Sequence, residues 1–489
     1  MIVFLHDPTQ PLPDPWTASL GWNRRLIYAF AGGCGAGYHQ GILGNLVNDT
    51  LLPSGYAVAS SSLNVLGNNC DDVTSAETMM MVKEHFIKQF GVPVHTIGIG
   101  GSGGSMQQHL IAQNYPGLLD GILPSASYPD VTTVISSTVD CTLLDRAFKA
   151  SSSAWTDEQK AAVAGFNSWG TCVSWMRSYS PGWLQARFCD ASVPKPMLYD
   201  KATNPDGARC AIYDHEVKTY GRDPKTGFAR RPLDNVGVQY GLAAFNAGKI
   251  SAEQFLQLNE HVGGYDAEGN PIANRSVADP AALRAAYGKG RVNVGGGSLR
   301  TIPIIDYRNY VDTASNIHDR HRSFATRARL VAANGNADNH VIHTYPQSLP
   351  PSVVLNEVRS MDRWLDNIRR DASAGSAAAK VRRNKPADLV DACWTAQGEK
   401  IAEPQTFDGS GRCNQLYPNH GNPRMAADGP LVGNTLKCAL KPINPKDYSQ
   451  SLTPDRLGRL KTIFPQGVCD HSVPGIEQKL TTKVWLRYQ

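Results

Sequence analysis

Apolar positions in the first quarter of the chain alternate between two rhythms. Arg25-Leu26-Ile27-Tyr28-Ala29-Phe30, Tyr56 to Ser61, Val92 to Ile97 and Gly121-Ile122-Leu123-Pro124 are short β-prone runs bounded by glycine, proline or polar residues, which predicts buried strands. Segments with helical spacing lie between them. Met79, Val82, Phe86 and Phe90 follow the capping box Thr74-Ser75-Ala76-Glu77, and Gly91 and Pro93 end that helix. A second helix is predicted from about Ser105 to Asn114, closed by Tyr115-Pro116-Gly117. Strands alternating with helices predict a parallel sheet with crossovers.

From about Asp130 to Arg300 helical patterns dominate, with capping boxes at Thr156-Asp157-Glu158-Gln159 and Ser251-Ala252-Glu253-Gln254. The strand rhythm resumes at Ile302-Pro303-Ile304-Ile305-Asp306-Tyr307. A helix through Phe324, a strand at Arg329-Leu330-Val331-Ala332-Ala333 and an amphipathic helix marked by Val354, Val358, Met361, Leu365 and Ile368 are expected next. This divides the chain into a first core part (1–129), a helical insertion acting as a lid (130–300), a second core part (301–372) and a loop-rich, cysteine-containing extension (373–489).

Composition narrows the class. The 489 residues are 41% hydrophobic and 19% charged with a net charge of +5, enough for a sizeable core and too mild a charge for a nucleic-acid partner. No apolar run reaches the eighteen or so residues of a membrane span. The ten cysteines form no C-x-x-C pair, which argues against a zinc or thioredoxin-type site and for disulfides in an oxidising compartment. Cys393, Cys413, Cys438 and Cys469 are expected to pair among themselves, and Cys34 with Cys70. A secreted or periplasmic protein follows. The opening Met1 to Asp7 is too short and too soon acidic for a signal peptide, so a mature or a trimmed form is expected.

The chemistry concentrates at Gly100-Gly101-Ser102-Gly103-Gly104, a G-x-S-x-G between a predicted strand and helix. In a nucleophile elbow the serine sits on a strained turn, and flanking glycines let strand and helix approach. Ser102 is the expected nucleophile. Ser105 is the rival, but its register would need glycine at Gln107. A serine needs a histidine to take its proton and an acid to orient that histidine. Asp312, just past the strand around Ile304, is the expected acid, with Asp306 read as strand interior. His340, in the loop after Ala333, is the expected base, with His343 and His318 as alternatives. The oxyanion donors are expected to be the N–H of Gly103 and of Gly33 or Cys34, from the loop Gly32-Gly33-Cys34-Gly35. Tyr38 and His39, with Trp169, Trp175 and Trp183 of the insertion, are candidate substrate contacts. No metal or organic cofactor is implied. Two other readings stay open. Gly98-x-Gly100-x-x-Gly103 also fits a dinucleotide fingerprint, with Asp130 as its acidic residue, and the chain could be an inactive protein that keeps only the fold.

The elbow, the glycine loop, the large insertion and the cysteine count resemble the tannase and feruloyl-esterase group of α/β-hydrolases, and in outline some polyhydroxybutyrate-oligomer hydrolases. The stretch from Gly100 to Gly104, Tyr115-Pro116 and Asp120-Gly121 carry the likeness, which covers roughly Arg25 to Asp371. The resemblance implies an α/β-hydrolase fold and a serine esterase working through an acyl-enzyme. Its expected substrate is a small-molecule or oligomeric ester, bulky and aromatic or polyester-like.

Overall fold

A computed structural model describes residues 1–35, 38 and 40–479. Its centre is a nine-stranded sheet. In chain order the strands are β1 (Ile2–Val3), β2 (Arg25–Ala29), β3 (Ala57–Ala59), β4 (His95–Gly101), β5 (Gly121–Ser125), β8 (Ile304–Asn309), β9 (His340–Tyr345), β10 (Ala392–Trp394) and β11 (Lys400–Ala402), while β6 (Gly264–Tyr265) and β7 (Pro271–Ile272) form a hairpin in the insertion. The spatial order is β1-β3-β2-β4-β5-β8-β9-β10-β11. The seven strands from β3 to β10 run parallel, and β1 and β11 are antiparallel edges.

Alternation along the strands makes two cores. Ile27, Ile97, Leu123, Ile305 and Val341 face one side, under Val358, Met361, Trp364 and Leu365 of helix α12 (Val353–Arg370). Leu26, Tyr28, Ile122 and Ile304 face the other. That side is covered by α1 (Asp72–Phe90), α2 (Gly103–Asn114) and α11 (His321–Asn334). A parallel sheet sandwiched between helices is the expected solution for strands apolar on both faces. With the serine turn after β4, this is an α/β-hydrolase fold.

Helix ends follow local chemistry. The boxes at Thr156 and Ser251 cap α4 (Asp157–Ala164) and α9 (Ala252–His261) as expected. Helix α1 starts earlier than its predicted box, because the Asp71 carboxylate accepts the Val73 and Thr74 N–H groups. The predicted strand Arg329–Ala333 is a correction: it is the last stretch of α11, which buries Phe324, Ala325, Arg329 and Leu330. Five apolar-leaning residues cannot separate a strand from a buried helical turn. Gly335, at φ 76°, ends that helix, and the predicted loop runs straight into β9.

Between β5 and β8 the chain inserts α3 (Val131–Ala150), α4, α5 (Trp169–Ser178), α6 (Ile212–His215), α7 (Val217–Tyr220), α8 (Leu242–Asn246), α9 and α10 (Pro280–Gly288). These share one apolar core with the tail. The tail adds α13 (Ala377–Arg383), α14 (Arg412–Leu416), the pair β12 (Ala439–Lys441) and β13 (Val468–Asp470), and α15 (Pro454–Ile463). It is loop-rich, and it also supplies two strands of the main sheet.

All ten cysteines are paired: Cys34–Cys70, Cys141–Cys172, Cys189–Cys210, Cys393–Cys413 and Cys438–Cys469. The first pair and the pairing within the tail match expectation. Five disulfides fit an oxidising compartment. Among the described residues no helix is long and apolar enough to cross a membrane.

Insertion and core are joined by buried ion pairs. Asp130 caps α3 and holds the Arg329 guanidinium of α11 at 2.5 Å, with side-chain exposures of 0% and 2%. The Asn293 N–H also reaches Asp130, at 3.1 Å. Removing one partner strands the other's charge. Asp130→Ala is expected to lower unfolding free energy by about 3–5 kcal/mol, read from urea transitions. A loss below roughly 1 kcal/mol, the range of an exposed pair, would show that the pair does not carry this junction.

Candidate active site

Strand β4 leaves the sheet at Gly101 and α2 begins at Gly103, so Ser102 alone makes the turn. Its backbone sits at φ 57° and ψ −123°, a region that costs a non-glycine residue about 1–3 kcal/mol. Its neighbours must be glycine. A Cβ on Gly100 would lie 2.2 Å from the Phe30 carbonyl oxygen, one on Gly103 2.5 Å from that of Gly33, and one on Gly104 2.8 Å from Phe30 again. The end of β2 and the loop after it thus press backbone to backbone on the elbow. The Ser102 N–H donates to the Ser125 carbonyl at 3.1 Å, fixing the turn to the C-terminal end of β5.

Gly103 and Gly104 open α2, and their N–H groups have no carbonyl one turn earlier to receive them. The Gly32 carbonyl accepts the Gly67 N–H at 2.8 Å, so in a planar trans peptide the Gly33 N–H points away from Gly67. The Gly33 carbonyl faces Gly103, which turns the Cys34 N–H away from it. The loop is held by the Cys34–Cys70 bridge and by the Trp183 indole, which donates to the Cys34 carbonyl at 3.2 Å.

Ser102 lines a small cavity with Gly33, Cys34, Met106, Tyr128, Val131, Trp175, Tyr179, Trp183 and Ile317. None of these side chains is charged. Trp175 and Trp183 lie 6.0 Å apart, Tyr179 and Trp183 4.5 Å, and Tyr128 and Trp175 6.2 Å, forming a continuous aromatic wall. The other proposed contacts lie elsewhere. Trp169 packs edge-on to Phe148 at 5.3 Å in the insertion core. Tyr38 is half-exposed and donates to the Arg209 carbonyl at 3.0 Å. His39 lies outside the described residues. Tyr128 and Ile317 follow strands β5 and β8 at the sheet's C-terminal edge, a place the sequence marks. Tyr179 carries no such signal.

The expected triad is not brought together. His340 is the first residue of β9, and pairing along the sheet places Gly101 level with Ser125, Tyr307 and His343. His340 is therefore about 10 Å down its strand from the level of the elbow and about 14 Å across three strand spacings. Its ring is fully buried. Nε2 lies 3.7 Å from the Asp306 carboxylate, and Nδ1 accepts from Arg327 Nε at 3.3 Å. Burial holds His340 below its ordinary pKa, partly offset by Asp306. The error came from the strand misread as ending at Ala333, which put His340 one element too late. His343 is also engaged, with Nδ1 2.8 Å from Glu357 and Nε2 3.1 Å from the Val390 carbonyl.

Asp312 does follow β8 at the sheet's C-terminal edge, the edge Ser102 occupies. It is buried, and its carboxylate accepts the Arg320 N–H at 3.0 and 3.3 Å rather than an imidazole. Burial pushes it up to about 6 against the pull of Arg308. His318 lies six residues on. Its ring meets the Tyr128 ring edge-on at 5.6 Å, and its Nδ1 is 2.7 Å from Asn316 Oδ1. The amide oxygen accepts, so Nδ1 carries the proton and Nε2 is left as the acceptor. Burial, with Arg308 and Arg322 nearby, pushes His318 down to about 4. The Tyr128 hydroxyl donates to the Ile317 carbonyl and holds this loop against the Ser102 cavity.

Ser105 is committed to structure, donating to the Ser102 carbonyl at 2.6 Å and accepting the Tyr128 N–H at 2.8 Å. The dinucleotide reading meets a similar obstacle. Gly98 and Gly100 lie inside β4, and Asp130 is spent on Arg329 and the α3 cap. Among the described residues no cluster of His, Cys, Asp or Glu could hold a metal ion.

Feruloyl esterase B from Aspergillus oryzae is similar at 13% identity over 71% of this chain and 77% of that one, with a TM-score of 0.36. The tannin acyl hydrolase from Aspergillus niger is similar at 10% identity over 81% and 82%, with a TM-score of 0.34. No curated protein matches the sequence. Residues 1–480 match the model of the tannase-like family of unknown function (DUF6351), and the chain belongs to that family.

Proposed function

We propose that this member of the tannase-like family is a serine esterase whose nucleophile is Ser102. The supporting observation is the strained Ser102 turn between β4 and α2, opening onto an uncharged aromatic cavity beside free helix N-terminal N–H groups. That arrangement suits acyl transfer. Ser102 Oγ attacks the ester carbonyl carbon while His318 Nε2 takes its proton. The Gly103 N–H, with that of Gly33 in preference to Cys34, receives the developing oxyanion. The tetrahedral adduct collapses, the C–O bond breaks, and the imidazolium returns its proton to the leaving alcohol. Water then releases the acid by the reverse sequence, restoring Ser102. Asn316 holds the His318 tautomer. Asp312 fixes the loop through the Arg320 N–H instead of touching the imidazole.

The acyl group is proposed to be flat, aromatic and uncharged. Aromatic walls reward a ring, and a charge there would be desolvated without a partner. Export into an oxidising compartment is part of the same reading.

A fluorophosphonate probe is expected to label Ser102, and Ser102→Ala to lose the label and about 10³-fold or more of esterase activity. A label kept by that variant would overturn the elbow assignment. His318→Asn is expected to cost about 10²–10⁴ in kcat/KM, with His340→Asn active wherever it folds. Since neutral His318 is the working form and its pKa is pushed down to about 4, the acid limb of kcat/KM should fall near pH 4, not near the ordinary histidine range. An acid limb near 6.5 with His318→Asn still active would assign the base to another histidine, such as His39 or His420. Trp175→Ala is expected to reduce the rate on a benzoate ester relative to an acetate ester, while Trp169→Ala leaves that ratio unchanged. Equal ratios in both variants would remove the aromatic wall from the reading.

A further inference from the structure

A second, larger cavity lies between α3, α11 and the tail segment 422–436. Helix α3 serves both cavities, giving Val131 to the first and Thr133, Ser136 and Ser137 to the second. Most charges on its wall are neutralised. Arg329 holds Asp130, Arg424 holds Asp140 at 2.5 and 3.0 Å, and Asp234 holds Lys437 at 2.5 Å. Arg322 is different. Its side chain is 5% exposed, the Asp319 carboxylate stands off at 3.8 Å, and Nη1 reaches Ser137 Oγ only at 3.5 Å. Its Nε and Nη2 have no hydrogen-bond acceptor.

The neighbouring donors are in surplus too. Asn422 donates its amide N–H to His321 Nε2 at 3.1 Å, and its Oδ1 accepts the Arg424 and Met425 N–H groups, so the amide is oriented unambiguously. His321 Nδ1 therefore carries a proton, and it has no acceptor; Ser136 Oγ is likewise unpartnered. A wall with buried donors and too few acceptors is completed by an anion. Much of the remaining lining is apolar, including Val238, Met425, Leu436 and the Cys438–Cys469 bridge, with Thr435 and His471 adding polar groups.

We propose that this cavity binds a small organic carboxylate with an apolar body, the carboxylate taken by Arg322 with the help of His321 and Ser136. Arg322 also lays its guanidinium over the Tyr128 ring at 5.2 Å, and Tyr128 is a wall of the Ser102 cavity. An occupant thus meets a residue stacked on a wall of that cavity, while its binding needs no catalysis.

The test uses Ser102→Ala protein, so that hydrolysis plays no part, with benzoate as the probe and benzamide as its uncharged counterpart. Isothermal titration is expected to show one benzoate per chain, with benzamide far weaker. Arg322→Gln should weaken benzoate at least about tenfold. Leu431→Trp, which fills the cavity from a partly exposed wall position, should abolish binding with the thermal midpoint kept. Three results would each overturn the proposal: no benzoate binding, equal binding of benzamide, or binding unchanged in both variants. The last would place the ligand in the Ser102 cavity.

Discussion

The site depends on one close contact, backbone against backbone, where the end of β2 and its following loop meet the turn after β4. Phe30 and Gly33 offer their carbonyls to positions where any Cβ on Gly100, Gly103 or Gly104 would collide. That contact lets Ser102 hold a left-handed backbone at the sheet's edge, because the surrounding packing over-determines it. It also brings the glycine loop beside the first N–H groups of α2. The parallel strands on either side are the rigid mount, and a flexible loop could not carry the same strain.

Around this mount the insertion and the tail behave as one outer layer with a shared apolar core. The layer is riveted to the sheet by buried pairs such as Asp130–Arg329, and the tail is riveted to the insertion by Asp140–Arg424. Trp183 shows how the layer reaches inward, since its indole N–H holds the Cys34 carbonyl of the glycine loop. The insertion therefore both walls the Ser102 cavity and steadies the loop proposed to bind the oxyanion. Two cavities back onto each other through α3 and the Tyr128–Arg322 stack, so ligand chemistry in one has a physical route to the other.

The loop from Asp312 to Arg320 concentrates charge unusually. Asp312 and Asp319 are buried together, each pushed upward by burial, with Arg308, Arg320 and Arg322 around them. Arg308 donates to the carbonyls of His318, at 3.3 Å, and of Asp319, pinning the segment that carries the proposed base. Such a network fixes geometry more than it adds stability, because each buried charge has a desolvation cost.

Local pattern was enough for the parallel sheet, for the elbow at Ser102 and for the glycine loop, because glycine spacing and strand-to-helix order are properties of contiguous residues. It also indicated the Cys34–Cys70 pair and the pairing within the tail. It failed at Arg329–Ala333, where five residues suit a strand or a helix equally and only packing of α11 against the sheet decides. That one error moved His340 onto a loop it does not occupy. Which tryptophans face the Ser102 cavity and which merely fill the core, and that the tail completes the sheet, depend on contacts between residues far apart in the chain. Trp169 and Trp175 are indistinguishable by sequence neighbourhood, six residues apart on one helix. Only the packing of that helix against α3 turns one into core and the other into a wall of the site.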